Sequence, residues 1–392
     1  MPATNTTTDP RYALFQTLVD CIKEQKTQHP FEVSEIDVQQ YLDEELFEQE
    51  KKKLFTNVPL IAGFGAMIPK PGDFFTFDHA GQPLLIVRGK DQEVRCFFNV
   101  CRHRGVRLSD AEGVSSTRTF FCKYHHWTYD LEGRLIFVPS EEGFPGLDRQ
   151  CRSLVSLPIK EAYGLIWVNP QPDGEIDLSS FLGNIADDLD LFDLAGSYFF
   201  RQSTKVCKAN WKLIIEAFQD GYHVTRLHNK SVGGFFMDNR AVQEREKLHI
   251  RSIVGRNEME RAIDLPPEQW DFRNHASFSH YIFPNTITIM HPDYSSQLSV
   301  FPISVDETLV LHNCVVQRKP QSEKEQAHFE RGFKTIDDKV FSEEDLHVCE
   351  QAQIGMASGA NQTFLVGGYE SGIRVFHQVL KDAMDKYPGS AI

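Results

Sequence analysis

Apolar positions near the start of the chain keep helical spacing. Leu14, Leu18, Cys21 and Ile22 recur every three or four residues, which predicts a helix over 10–26. A second helix is expected over 38–55, with Leu42, Leu46, Phe47 and Leu54 as its apolar stripe. Its acidic start and its Lys51-Lys52-Lys53 end suit the helix dipole, and Glu48 stands four before Lys52. From Val58 the period shortens. Segments 73–77, 83–88 and 94–100 are short, β-rich and punctuated by Gly, Pro and Asp. Segment 119–122 continues this pattern. Segment 127–137 reads as a hairpin turning at Glu132-Gly133, and 154–169 closes the region. Beyond it, 176–194 is acidic and loosely helical, and 199–208 reads as a strand. Leu213, Ile214, Ala217 and Phe218 give 210–222 a helical stripe. Strands are expected through 280–316, with turns at Pro292-Asp293 and Asp306-Glu307, and helices at 342–357 and 373–386. Strands followed by long helices argue an α+β fold. The texture divides the chain into helices at 1–56, a small antiparallel β domain at 57–169 and a second domain at 170–392.

Composition narrows the class. A net charge of −14 disfavours a nucleic-acid or anionic-membrane partner. No run reaches the roughly 18 apolar residues of a membrane span. Residues 1–9 are polar, expected to be frayed, and lack the apolar core of a secretion signal. Eight cysteines without regular close spacing do not make a disulfide framework, so a reducing cytoplasm is expected. Thirty phenylalanines suggest aromatic packing or an apolar pocket.

The chemistry concentrates in two places. Cys101-Arg102-His103 and Cys122-Lys123-Tyr124-His125 bring two thiols and two imidazoles as mixed pairs, C-x-H and C-x-x-H, across an eighteen-residue spacer. Zinc fingers group like ligands instead, as C-x₂₋₄-C then H-x₃₋₅-H. Mixed pairs suit a two-iron cluster in which one iron takes both sulfurs and the other both imidazoles, the ligation of a Rieske [2Fe–2S] centre. Gly105 permits a tight loop, and Trp127 and Tyr129 offer an aromatic cover. The second place is His223 and His228, five apart at a helix end, with Asp220 three residues before the first. A non-haem Fe(II) site needs two His and one carboxylate on one face. Glu343, Glu344, Asp345 and Glu350 are all available, and spacing does not choose among them.

These loops resemble those of the Rieske non-haem iron oxygenases, specifically the large catalytic α subunits of the aromatic-ring-hydroxylating family. The likeness covers nearly the whole chain and includes Asn210-Trp211-Lys212 and Glu216. It implies an antiparallel β Rieske domain and a helix-grip-like catalytic domain of antiparallel sheet with helices. It implies a [2Fe–2S] cluster on Cys101, His103, Cys122 and His125. It also implies a mononuclear Fe(II) on His223, His228 and Asp345, since the family places its aspartate five residues before a Glu, here Glu350. By the same resemblance the subunits form a head-to-tail homotrimer, with a small β subunit in some members. Asp220 then joins an iron-ligand His of its own subunit to a cluster His of the neighbour. Three features depart from the pattern: the spacer is slightly long, His126 stands where a small residue is usual, and Ala217 where Asn is frequent.

The implied function is that of a terminal mono- or dioxygenase. Electrons come from a separate NAD(P)H-dependent reductase, in some systems through a ferredoxin, since no G-x-G-x-x-G dinucleotide fingerprint follows a strand here. O₂ is the co-substrate, and the organic substrate is expected to be aromatic. N- or O-demethylation, or hydroxylation of a choline- or carnitine-like quaternary ammonium compound, uses the same constellation. A Rieske electron carrier leaves the second half of the chain unexplained. A zinc-binding structural or sensor protein is the remaining class.

Overall fold

The computed structural model describes residues 10–28 and 32–387. The frayed, signal-free start expected at residues 1–9 lies outside them. Contacts divide the chain into two compact units. Among the described residues, one comprises 55–177 with 194–196, and the other 10–28, 32–54, 178–193 and 197–387.

The smaller unit is built of β-strands with a few single-turn 3-10 helices. Its five-stranded antiparallel sheet runs in the order Ser156–Leu157, Val94–Phe98, Leu84–Arg88, Asp73–Phe77 and Val114–Ser116. Leu84–Arg88 is buried along its whole length, as expected of a central strand with both faces covered. A second sheet joins Ile159–Ala162, Leu165–Val168 and Leu60–Phe64. The third is the expected hairpin, Thr128–Tyr129 with Leu135–Phe137, flanked by Phe120–Phe121. Its turn requires glycine twice over. Gly133 has φ +82°, and a Cβ there would lie 2.5 Å from the Phe97 ring. Asp130 completes the turn by accepting the N–H groups of Glu132 and Arg134.

The larger unit is built on one seven-stranded antiparallel sheet. Its order is Tyr198–Cys207, Glu307–Val316, Tyr294–Ser304, Thr286–Met290, Ala276–Ile282, His249–Arg256 and Phe236–Glu246. The last two strands carry no clear apolar alternation and were not expected. Both faces of His249–Arg256 bury polar groups. On one, Arg251 donates to both oxygens of Asp188 at 2.7 and 3.0 Å, and His280 Nε2 meets the same carboxylate at 2.8 Å.

Three expected helices differ in extent. The stretch 38–55 breaks at Asp43, whose extended backbone separates Gln39–Leu42 from Glu44–Leu54 and whose side chain caps Leu46 N–H. In the second of these helices Glu48 pairs with Lys51, three residues on. The stretch 210–222 ends as Trp211–Ala217, because Asp220 turns back to accept the N–H of Tyr222 at 2.6 Å, a local bond that competes with the helix. His223 therefore does not share a helix face with Asp220; a loop brings them together. The stretch 342–357 is the end of a longer helix: Glu323–Lys334, a π-wound middle Thr335–Leu346, and His347–Ala357.

The helix Trp211–Ala217 leads into the second candidate site and is held from within. Asn210 caps it by accepting Lys212 N–H. Lys212 Nζ lies 2.7 and 2.6 Å from the two oxygens of Glu50, and Trp211 Nε1 donates to the same carboxylate. Both charges are almost fully buried, and burial pushes Glu50 up and Lys212 down, towards neutrality. Such a pair adds little net stability over apolar residues, but one half left alone is a buried unpaired charge. Glu50→Leu should therefore destabilise the protein by about 3–5 kcal/mol, and Glu50→Leu with Lys212→Met should recover most of the loss. Urea midpoints at constant m-value measure both.

Candidate metal centres

The first centre lies in the smaller unit, where two loops have matching backbones. Cys101 N–H donates to Val106 O and Gly105 N–H to Cys101 O, at 2.8 and 3.0 Å. Cys122 N–H donates to Trp127 O and His126 N–H to Cys122 O, at 2.9 and 2.8 Å. Each loop needs a left-handed residue four positions after its cysteine. The first uses Gly105, φ +76°, and the second His126, φ +57°. A non-glycine residue there carries about 1–2 kcal/mol of strain. The His126 side chain is exposed beside Phe121 and does not crowd the loop.

The loops bring the four expected residues together. Cys101 and Cys122 are buried neighbours within the apolar core of this unit. The rings of His103 and His125 stand 4.6 Å apart. Trp127 stacks on His103 at 4.7 Å, and the Tyr124 ring covers His125. Tyr129 accepts Arg102 N–H, which leaves its own O–H, 3.4 Å from Cys101 Sγ, free to donate to the sulfur. Nδ1 of His103 and Nδ1 of His125 are buried without a hydrogen-bond partner. Two orphaned ring nitrogens beside two thiols fit a metal cluster. They do not fit a single tetrahedral zinc. Among the described residues, the set of three or more donors that closes round one ion is a different one.

That set is His223, His228 and Asp345, in the larger unit, with donor atoms within 4.8 Å of one another. The histidines flank the short helix Val224–Leu227. Asp345 comes from the π-wound segment and is buried, with Oδ1 lacking a hydrogen-bond partner. Nε2 of His223 lies 3.5 Å, and Nε2 of His228 3.2 Å, from that oxygen. The opposite nitrogens face carboxylates: Asp220 Oδ2 lies 3.3 Å from His223 Nδ1, and Glu344 Oε2 2.6 Å from His228 Nδ1. Ser231 Oγ holds Glu344 at 2.6 Å. Burial alone would depress His228, but the carboxylates of Asp345 and Glu344 on its two sides outweigh this and keep the imidazole more basic than usual. Two imidazoles and one carboxylate, converging with open space beside them, fit the facial donor set of a non-haem Fe(II) site.

The open space is a cavity of about 630 Å³. All three donors line it, together with Phe218, Phe235 and Phe341. The sheet supplies another wall through Gln243, Ser252 and Ser279, which are cross-strand neighbours in one row, and through Val254, Ser277 and Arg256. Glu344 as an imidazole partner, and Ser252, Ser277 and Arg256 as cavity groups, were not found by sequence reasoning. A carboxylate directly before Asp345 was a signal for the first. The others lie in or beside strands that periodicity does not reveal.

Comparison with known proteins decides the family. Residues 190–386 match the sequence model of the ring hydroxylating alpha subunit catalytic domain, and residues 64–153 match that of the Rieske [2Fe-2S] domain. The chain belongs to the ring-hydroxylating Rieske oxygenase α-subunit family. It is 38% identical over 194 residues to the biphenyl 2,3-dioxygenase α subunit of Rhodococcus jostii, covering 48% of this chain and 42% of that one. It is 35% identical over 188 residues to the glycine betaine monooxygenase oxygenase subunit of Pseudomonas aeruginosa, covering 48% and 43%. The match thus spans less than half the length of these curated relatives. A longer match, 25% identical over 323 residues and covering 81% and 84%, is to the carnitine monooxygenase oxygenase subunit of Acinetobacter pittii. A quaternary ammonium Rieske monooxygenase crystallised with L-carnitine shares the fold, with TM-score 0.76, 21% identity and coverage of 89% and 95%. Among the described residues no helix is long and apolar enough to cross a membrane.

The geometry separates a direct donor from its support. Asp345→Ala should abolish Co(II) binding at the three-donor set. Glu344→Gln should only weaken it, by about 10–100-fold, through loss of the carboxylate behind His228. Equilibrium dialysis with metal analysis distinguishes the two outcomes.

Proposed function

We propose that the chain is the terminal oxygenase of a multicomponent system that hydroxylates a small organic substrate with O₂. Cys101, His103, Cys122 and His125 hold the [2Fe–2S] cluster, and His223, His228 and Asp345 hold the mononuclear iron. When bound, the two centres supply one-electron transfer and O₂ activation. The remaining chemistry is the protein's. Asp220 and Glu344 fix the imidazoles so that each turns Nε2 inward. Tyr129 tunes the cluster by donating to a cysteine sulfur. The apolar walls hold substrate beside the donors and limit water. One observation carries the reading: an inward-facing pair of imidazoles and a buried, unpartnered carboxylate oxygen form one wall of a substrate-sized cavity.

The phenylalanine lining supports an aromatic substrate. The quaternary ammonium reading rests on relatives named for glycine betaine and carnitine. The partners are a separate NAD(P)H-dependent reductase, with or without a ferredoxin, and further copies of the chain in a trimer, with or without a small β subunit. A reducing cytoplasm suits the eight free cysteines.

The purified protein should show Rieske absorption and one iron per subunit beyond the cluster's two, and should take up O₂ with substrate and a surrogate reductase. Zinc in place of iron, or a cluster without the further iron, overturns the reading. Asp220→Ala should keep normal cluster absorption and near-normal iron. Its prereduced cluster should fail to reoxidise with O₂ and substrate in single-turnover stopped-flow, a loss well beyond the roughly 10–100-fold of an ordinary supporting residue.

A further inference from the structure

The sheet wall of the cavity carries buried polar groups with nothing to bond. Ser252 and Ser277 are each 3% exposed, and neither Oγ has a hydrogen-bond partner. Gln243 Oε1 is in the same position. Arg256 Nε is buried and unbonded as well. Its nearest acid is Glu258, whose Oε2 lies 3.6 Å from Nε, beyond hydrogen-bond reach, and is itself unbonded. The Arg256 guanidinium also lies against the rings of Phe235 and Phe236, 5.8 and 5.6 Å from Cζ.

These groups share a surface because of strand register. Ser252, Val254 and Arg256 alternate along His249–Arg256 and so point to one face. Ser277 pairs with Val254, and Ser252 with both Gln243 and Ser279. All of them line the cavity.

An unbonded buried polar group costs about 1–3 kcal/mol, and more when charged. Water can satisfy a serine, but a largely buried guanidinium whose Nε is unbonded, and whose paired carboxylate on Glu258 stands 3.6 Å off and half in solvent, favours a further anion on its cavity side. Asp293 is paired with His328 at 2.7 Å, and burial pushes His291 down to about 3, which leaves it neutral. A guanidinium fork matches a carboxylate in shape as well as charge.

We infer that the substrate bears a carboxylate, which Arg256 anchors while Ser252 and Ser277 bond to its polar atoms. The inference rests on the oxygenase reading and narrows it. An aromatic acid and a trimethylammonium acid share the carboxylate, and they are separated experimentally.

The test is equilibrium binding to the iron-loaded full chain by calorimetry. The probes are benzoate against benzamide, and carnitine against choline. One acid should bind about 10–100-fold more tightly than its uncharged-end counterpart, the effect of a charged hydrogen-bonded pair. Which acid binds identifies the source. Arg256→Leu should erase that preference, and Arg256→Lys should retain part of it. Ser252→Ala should weaken the acid by about three- to tenfold, and it provides a second route if Arg256→Leu folds poorly. Equal binding of acid and counterpart, no binding of either acid, or an undiminished preference in Arg256→Leu overturns the inference. Cluster absorption and iron content of the unmodified protein test the oxygenase reading separately. Normal values with no carboxylate preference remove the anchor alone.

Discussion

An imidazole has two nitrogens, and a metal site can use only one of them well when the other is tied. That constraint organises the larger unit. Both histidines have one nitrogen against a carboxylate, Asp220 or Glu344, and the other facing Asp345 Oδ1. The surrounding fold makes this possible. Asp220 must leave its helix to reach His223, and it does so by closing a turn on Tyr222. The helix before it must not slide, and a buried ion pair between Lys212 and Glu50 holds it. Glu344 is held in turn by Ser231. Every device serves the direction of a ring.

The same demand explains the wide winding of the helix that supplies Asp345. Ile336, Val340, Phe341 and Asp345 all line the cavity. In an α-helix, residues nine apart differ by two and a half turns and lie on opposite sides. A π-wound segment, with about 4.4 residues per turn, brings positions 336 and 345 back to one side. The wide turn therefore lets one segment contribute both apolar wall and the carboxylate that converges with the two histidines. An ordinary helix would have turned either Ile336 or Asp345 away.

This separates what was legible in the chain from what was not. The cluster loops were legible because each pair of donors is local, so spacing carries most of the geometry. Even the unusual His126 becomes intelligible once the two loops are seen to share a backbone, with His126 in the left-handed place of Gly105. His223 and His228 were legible for the same local reason. The choice of Asp345 over Glu343 and Glu344 was not open to spacing, because it depends on a winding that begins ten residues earlier. Resemblance supplied it. The strands Phe236–Glu246 and His249–Arg256 were missed for a different cause. Apolar alternation marks a strand with one dry face and one wet face. In His249–Arg256 one face buries Arg251 against Asp188, and the other turns Ser252 and Arg256 to a cavity. A strand with polar work on both faces has no period to read.

That missing period places opposite charges on different elements around one space. Asp220 and Asp345 line it beside the histidines, Arg256 lines it from a sheet strand, and Asp293 and Arg331 line it from a strand turn and from the helix Glu323–Lys334. In a cavity walled largely by phenylalanine and aliphatic side chains, such charges act with little screening. A ligand with an anionic end is held at the sheet side by that guanidinium. Its uncharged body is thereby turned towards the donor set. Orientation of this kind needs no close shape match along the ligand. It comes from the positions of a few charges, and an apolar cavity of this size gains regioselectivity from them that its walls alone would not provide.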